Sequence, residues 1–302
     1  MPRRASIRTL LVHLVLAVAL PLAVLTAWVL FETYRDDQRQ ARTQVLQLAQ
    51  MTASQTAIFL GQAHNILNGL AARPAVRALD ASRCDPILKD FLGLAPRFSN
   101  IVTSTLDGRV ICSAAPLVGP TRLDPDNLLN RLRGPEQLTV GRITRGTITG
   151  RWAALLGRPL LDAQGGVAGA VGLAVDLLTL PVLPSVEGLA ANTVVALIAG
   201  DGTVLARSSE AQRFVGSNQG NTAIARTVLR DKRGTAEDVG IDGVARILGF
   251  APIPGTDWIA VASVPARGAR AALGEAARGA SAAARQQRHR GRRSDARRRS
   301  RG

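Results

Sequence analysis

The chain has 302 residues, of which 46% are hydrophobic, so it can form about two domains and is not wholly disordered. Aromatic residues make up 3%, too few for a surface on which single-stranded nucleic acid would stack. The net charge of +16 comes mainly from arginine-rich ends and says little about the folded body.

The first predicted element is a membrane helix over residues 9–31, a stretch without Asp, Glu, Lys or Arg. A helix of this length spans about 35 Å, enough to cross a hydrocarbon core of about 30 Å. Arginines precede the stretch and several acidic residues follow it, so the positive-inside rule places residues 1–8 in the cytoplasm. The alternative is a cleaved signal peptide, which the length of the apolar run disfavours.

One long helix is predicted over residues 32–72. Apolar and small residues recur at three-, four- and seven-residue steps between Val45 and Leu70, and no proline interrupts them before Pro74. Such a helix is about 60 Å long, more than one globular core requires, and we expect it to pack against a second copy of itself. Alternatively, the stripe packs only on its own domain.

Two similar β-rich units are expected after this helix. Each contains a strand–turn–strand segment with an Asp-Gly turn, at Asp107-Gly108 and at Asp201-Gly202, 94 residues apart. The other predicted elements are helices over 75–95, 121–134 (capped by Asp124) and 222–234, and strands within 150–177 and 234–265.

Five segments in this order resemble the double Cache domain, the periplasmic sensing region of bacterial histidine kinases, diguanylate cyclases and chemoreceptors. They are the membrane helix with its long helix, NIVTSTLDGRVICSA, RPLLDAQGGVAGAVGLAVDL, VVALIAGDGTVLARSSEAQRFVG and GTAEDVGIDGVARILGFAPIPGTDWIAVASVP. The resemblance implies an α+β fold with two tandem PAS-like antiparallel-sheet modules. It also implies a homodimer through the long helix and a small-molecule ligand in the membrane-distal module.

The expected organisation places a single-pass protein in the bacterial inner membrane, with its body in the periplasm. Its parts are a cytoplasmic N-terminus (1–8), a transmembrane helix (9–31), a long stalk helix (32–72), a membrane-distal Cache module (73–184), a membrane-proximal Cache module (185–266) and an Arg/Ala-rich tail (267–302).

The tail stands where the family's members continue into a second membrane helix and an output domain. We expect a truncated or frame-altered sensor. The alternative is a genuine basic tail that binds anionic lipid or nucleic acid. Nucleic acid is not the expected partner, because the tail is predicted to lie outside the cytoplasm.

Two cysteines, Cys84 and Cys112, fall in the predicted distal module, where an oxidising compartment favours a disulfide between them. The alternative is a pair of separate buried thiols. Neither has a histidine nearby, so no metal site is predicted.

The chain has no HExxH, G-x-S-x-G or paired-carboxylate motif, so we expect no catalytic residue and no cofactor. The absence of these motifs disfavours an anchored hydrolase.

The ligand-binding prediction centres on Arg151 and Trp152, which could hold a carboxylate, and on Asp176, which could hold an ammonium group. The alternative places Trp152 in the core and Arg151 in solvent. Further candidates at the pocket edge are Thr103, Ser104 and Arg131. The Arg-x-Trp-Tyr run of the amino-acid-binding members is missing, so an amino-acid ligand is not predicted.

Overall fold

A 65-residue helix and two five-stranded sheets form the described part of the chain. The computed structural model describes residues 7–266 except 96, 133, 135–136, 185–188 and 190, so the tail predicted over 267–302 lies outside it. The helices are α1 (Ile7–Ala71), α2 (Pro74–Arg77), α3 (Ile87–Leu94), α4 (Ala211–Phe214) and α5 (Ala223–Asp231), with 3-10 turns at Ala81–Arg83 and Leu129–Arg131. The strands are β1 (Phe98–Thr105), β2 (Val110–Ser113), β3 (Thr139–Arg145), β4 (Trp152–Leu161), β5 (Val167–Asp176), β6 (Val194–Ile198), β7 (Val204–Arg207), β8 (Gly234–Val239), β9 (Ala245–Pro252) and β10 (Ile259–Pro265).

Helix α1 runs without a break through both the predicted membrane segment and the predicted stalk, with Pro21 inside it. Among the described residues, no helix combines the length and the apolar character that a membrane crossing requires. The structure therefore does not support the span predicted over residues 9–31, of which the side chains before Leu20 lie outside the description.

One face of α1 is buried against the sheets, at the three- and four-residue steps that the sequence predicted. Its buried side chains include Val45, Ala49, Thr52, Ala53, Thr56, Phe59, Ala63, Leu67 and Leu70. The two buried threonines donate their hydroxyl hydrogens to the carbonyls four residues earlier, both at 2.8 Å, so both buried hydroxyl groups are hydrogen-bonded.

The two sheets repeat one topology. The first has the order β2-β1-β5-β4-β3 and the second β7-β6-β10-β9-β8, and their described strand pairs are antiparallel. The predicted Asp-Gly turns join β1 to β2 and β6 to β7, with φ of 87° at Gly108 and 86° at Gly202. Left-handed φ values favour glycine, which explains why the repeat is visible in the sequence.

The helix predicted over 121–134 is wrong. The segment forms only a 3-10 turn at Leu129–Arg131, and Asp124 accepts the N–H of Asp126 in a local turn. Strand β3 was not predicted at all. Similarly, the region 75–95 is divided into α2, a 3-10 turn and α3 rather than one helix.

A disulfide joins Cys84 to Cys112, with 5.8 Å between their Cα atoms. It ties the segment before α3 to strand β2. Nearby, Phe98 of β1 packs between two aromatic rings, with centroid distances of 5.7 Å to Phe59 of α1 and 6.0 Å to Phe91 of α3. These contacts hold α1 and α3 against the first sheet.

The second sheet approaches α1 even more closely, at Gly249 of β9. A Cβ atom at this position would lie 2.3 Å from the main-chain nitrogen of Leu46 and 2.4 Å from the main-chain carbon of Val45. The absence of a side chain therefore lets the backbone of β9 touch the backbone of α1.

We predict that Gly249→Ala destabilises the protein by about 3 kcal/mol, since the added methyl group meets main-chain atoms that cannot turn aside. Urea denaturation of the full chain would measure this change.

Gly69→Ala provides the control, because Gly69 lies in α1, the helix that Gly249 contacts, and has nothing within 4 Å of an added Cβ. This variant should be as stable as the parent chain or slightly more stable. Equal stability of the two variants would disprove the proposed backbone contact.

Candidate functional site

A cavity of about 230 Å³ lies over one face of the first sheet and is called here the first cavity. Its floor consists of side chains at alternating strand positions, Asn100 and Val102 of β1, Ala153 and Leu155 of β4, and Ala174 of β5. Alternation follows from the two-residue period of a strand, which sends every second side chain to the same face.

The cover of the first cavity comes from two loops and β3. Residues 123–127 and 146–149 line it together with Arg142, Ile143 and Thr144. The first loop is fastened to β3, because the N–H of Arg142 donates to the carbonyl of Asn127 at 3.1 Å. The amide oxygen of Asn100 already has a hydrogen-bond partner, since it accepts the N–H of Ala115 at 2.8 Å.

Three polar side chains of the lining are available to a ligand. The amide oxygen of Asn127 is buried and has no hydrogen-bond partner among the described residues, an uncommon state for such an atom. Asp124 and Arg142, both exposed at the rim, form no ion pair with any residue that the structure describes. The cavity therefore offers a hydrogen-bond acceptor, a negative charge and a positive charge to one small molecule.

The three central predicted ligand residues lie beside this cavity and do not line it. Arg151 donates from Nη1 to Oδ2 of buried Asp176 at 3.1 Å, so the two charges predicted to bind a ligand pair with each other. Trp152 faces the second module. A Cβ at Gly216 would lie 2.4 Å from its Cε2, and the guanidinium of Arg145 lies 5.7 Å from the ring centroid.

The three predicted edge residues are also outside the first cavity. Thr103 is buried on the other face of β1, where its hydroxyl accepts the N–H of Cys112 at 3.1 Å. Ser104 is buried beyond the lining residues of the same strand. Arg131 lines a separate wide groove beside α1, with His64 and the turn over 254–257. The ligand-binding role of all six residues stays a prediction.

Asp124, Asn127 and Arg142 line the first cavity but were not among the site residues predicted from the sequence. Asp124 was predicted to cap a helix, and the strand that carries Arg142 was not predicted. A signal was available in the run DPDN, because closely spaced Asp, Pro and Asn residues favour a turn over a helix interior.

The second sheet carries an equivalent but smaller cavity, the second cavity, of about 70 Å³. Its floor includes Val194 and Ala196 of β6, Arg246 and Leu248 of β9, and Ser263 of β10. Its cover is formed by α5 and residues 240–242.

Three charged side chains of this second cavity are buried together. Oδ2 of Asp242 accepts from Nη2 of Arg207 at 2.7 Å and from Nη2 of Arg246 at 2.8 Å, and the three side chains are 6–9% exposed. Burial raises the pKa of Asp242, but hydrogen bonds from Arg246, the Val244 amide and Arg207 outweigh it and lower the pKa to about 2. Asp242 is therefore ionised at neutral pH.

No metal-binding group of His, Cys, Asp and Glu side chains exists within the described ranges. Two matching sheets, each with a cavity on one face, are packed on a single long helix. The chain belongs to the Cache domain family, since the family profile dCache_1 matches residues 33–273. Cache sensor domains are extracellular or periplasmic ligand-binding modules without catalytic activity.

Solved structures share this fold. The extracellular domain of rpHK1S-Z16, assigned as a histidine kinase, has a TM-score of 0.65 at 16% identity, over 76% of this chain and 95% of its own. The Pseudomonas fluorescens chemoreceptor CtaA ligand-binding domain, in complex with L-serine, scores 0.59 at 18% identity, over 75% and 98%. The Campylobacter jejuni chemoreceptor Tlp1 sensory domain scores 0.56 at 13% identity, over 75% and 95%. No curated protein sequence matches the chain.

We predict that Asp242→Asn destabilises the protein by about 3 kcal/mol at pH 7, because two buried arginines lose their carboxylate. The pKa of Asp242 is lower in the folded state than in the unfolded state. Its stabilising effect is therefore complete above about pH 4 and is lost as the pH falls towards 2.

Urea denaturation at a series of pH values would measure this difference, which should shrink between about pH 4 and pH 2. Asp231→Asn is the matched control, because Asp231 pairs with Arg230 on the surface and its loss should cost little at any pH. A constant difference between parent and Asp242→Asn across this range would contradict the assignment.

Proposed function

We propose that this chain is the signal-input part of a membrane-anchored receptor and that it binds a small zwitterionic molecule in the first cavity. The observation that carries the proposal is a cavity lined by Asn127, whose buried amide oxygen has no partner among the described residues, and by Asp124 and Arg142, which form no ion pair with any described residue. Arg142 suits the carboxylate of a ligand, whereas Asp124 and Asn127 suit its ammonium group.

Cavity size supports a small ligand. A volume of about 230 Å³ is below the usual range of about 300–1,000 Å³ for drug-sized ligands. CtaA, which shares the fold, was solved in complex with L-serine and with L-alanine. These complexes favour amino acids as the first class to test, although the sequence motif of amino-acid-binding members is missing here.

We predict that Arg142→Gln weakens binding of the ligand's carboxylate end at least tenfold, because a charge-assisted hydrogen bond is lost. Isothermal titration calorimetry of the full chain would measure the change, with a ligand found by thermal-shift screening of L-serine, L-alanine and other small zwitterions.

Arg131→Gln is the control, since Arg131 is also an exposed arginine but lies outside the first cavity. The affinity of the Arg131→Gln variant for the ligand should equal that of the parent chain. Loss of binding in Arg131→Gln with retention in Arg142→Gln would move the ligand to the groove beside α1. Failure of every zwitterion to bind would reject the ligand class.

Membrane anchoring is the second part of the proposal. The uncharged stretch over residues 9–31 supports it, and α1 carries this stretch directly into the helix that packs on both sheets. With arginines before the stretch and acids after it, the N-terminus is cytoplasmic and the sheets are extracytoplasmic. The proposed cellular location of the protein is the inner membrane of a bacterium.

Dimerisation through α1 is the third part. Met51 and Ile58 are about 60% exposed on the side of α1 that faces away from the sheets, and they lie seven positions apart. Residues seven apart lie on one helix face, as in a coiled-coil seam. Residues 43–72 contain no Asp, Glu, Lys or Arg, so two copies of this helix would meet without charge repulsion. Ligand binding would signal by favouring one of two packings of the paired helices.

We predict that Ile58→Cys forms a disulfide-linked dimer when intact cells producing the full chain are treated with a membrane-impermeant oxidant. Gln50→Cys should not, because Gln50 is exposed but lies about 80° around the helix from Ile58. Denaturing electrophoresis without reductant would show the dimer. The native cysteines do not interfere, since they are joined to each other.

Labelling of Gln50→Cys by an impermeant maleimide separates topology from dimerisation. Labelling without an Ile58→Cys dimer would reject the dimer and keep the extracytoplasmic location. Labelling only after cell lysis would reject that location.

A further inference from the structure

The second cavity is lined by buried charges that do not balance. Its described lining contains two arginines, Arg207 and Arg246, and one acid, Asp242, so the buried cluster has a net charge of +1. A buried charge is costly unless an opposite charge or a full set of hydrogen bonds compensates it. Asp242 alone cannot neutralise both guanidinium groups.

The hydrogen bonds of the cluster show which guanidinium has free donors. Arg246 uses Nε and Nη2 for Asp242, and it donates from Nη1 to the carbonyl of Asn192 at 3.0 Å. Arg207 donates from Nε to the carbonyl of Ser209 at 2.9 Å and from Nη2 to Asp242. Nη1 of Arg207 makes no hydrogen bond to any described residue. The Cζ atom of the same guanidinium lies 4.6 Å from the centre of the Phe214 ring. Arg207 therefore can donate to an anion.

The remaining lining is mostly apolar. Side chains of β6, β10 and α5 supply it, namely Val194, Ala196, Ile198, Val261, Ile224, Ala225 and Val228. The cavity volume of about 70 Å³ exceeds what one water needs and is far below that of a drug-sized site. A ligand that fits this cavity carries one negatively charged group and a short apolar chain.

We propose that the second cavity binds a short-chain monocarboxylate, with its carboxylate at Arg207 and its alkyl group against α5. The position agrees with the repeat, because β6, β9 and β10 occupy in the second sheet the places of β1, β4 and β5 beneath the first cavity. The two modules then bind ligands of different classes, a zwitterion in the larger first cavity and a small anion in the smaller second cavity.

Propionate is the probe for this site, with propionamide as its uncharged analogue, both added to the full chain at pH 7 and constant ionic strength. Isothermal titration calorimetry should detect propionate binding and at least tenfold weaker propionamide binding. Arg207→Gln should weaken propionate binding at least tenfold, while Asp242 keeps its pairing with Arg246. Arg213→Gln is the matched control, since Arg213 also stacks on Phe214 but is exposed and does not line the cavity.

A second variant covers the case in which Arg207→Gln does not fold. Ala225→Leu keeps all three charges and fills the cavity from α5, so it should abolish propionate binding. Equal binding of propionate and propionamide, no propionate binding by the parent chain, or retained binding in a folded Arg207→Gln or in Ala225→Leu would each overturn the proposal. So would loss of propionate binding in Arg142→Gln, which would place the anion in the first cavity.

Discussion

The direct contact of α1 with both sheets is the constraint on which the rest of the structure depends. At Gly249 the backbone of β9 touches the backbone of α1, and Phe59 of the same helix stacks on Phe98 of the first sheet. A helix is a stiff element, so these contacts place two modules at fixed positions along one rod. A change in the packing of either sheet on α1 would therefore change the position of the exposed helix face that we propose for dimerisation.

Strand alternation connects the cavities with this helix. On β9, Arg246 and Leu248 face the second cavity, whereas Gly249 faces α1. A ligand in that cavity would therefore act on α1 through the thickness of one sheet. The first module adds a lateral contact, because Trp152 lies against Gly216 of the second module. Trp152, whose ligand-binding role stays a prediction, thus lies at a contact between the two modules.

The same topology supports two different chemistries. The first cavity keeps its charges at an exposed rim, where Asp124 and Arg142 are available to a ligand that enters from water. The second cavity keeps Arg207, Asp242 and Arg246 away from water, where each interaction is stronger and each unpaired donor is more costly. The covers also differ, since two loops and β3 cover the first cavity, whereas α5 and residues 240–242 cover the second.

Local chemistry was readable from the sequence alone. The burial stripe of α1, the Asp-Gly turns with left-handed glycines, the two β-rich units and the family resemblance all rest on residues close together in the chain. The site depended on contacts between distant residues. Whether Thr103 or Val102 faces the cavity depends on strand register, and Arg151 pairs with Asp176 only because β4 lies beside β5. Long-range pairing sets register and burial, so only the tertiary structure brought Asp124, Asn127 and Arg142 together at one cavity.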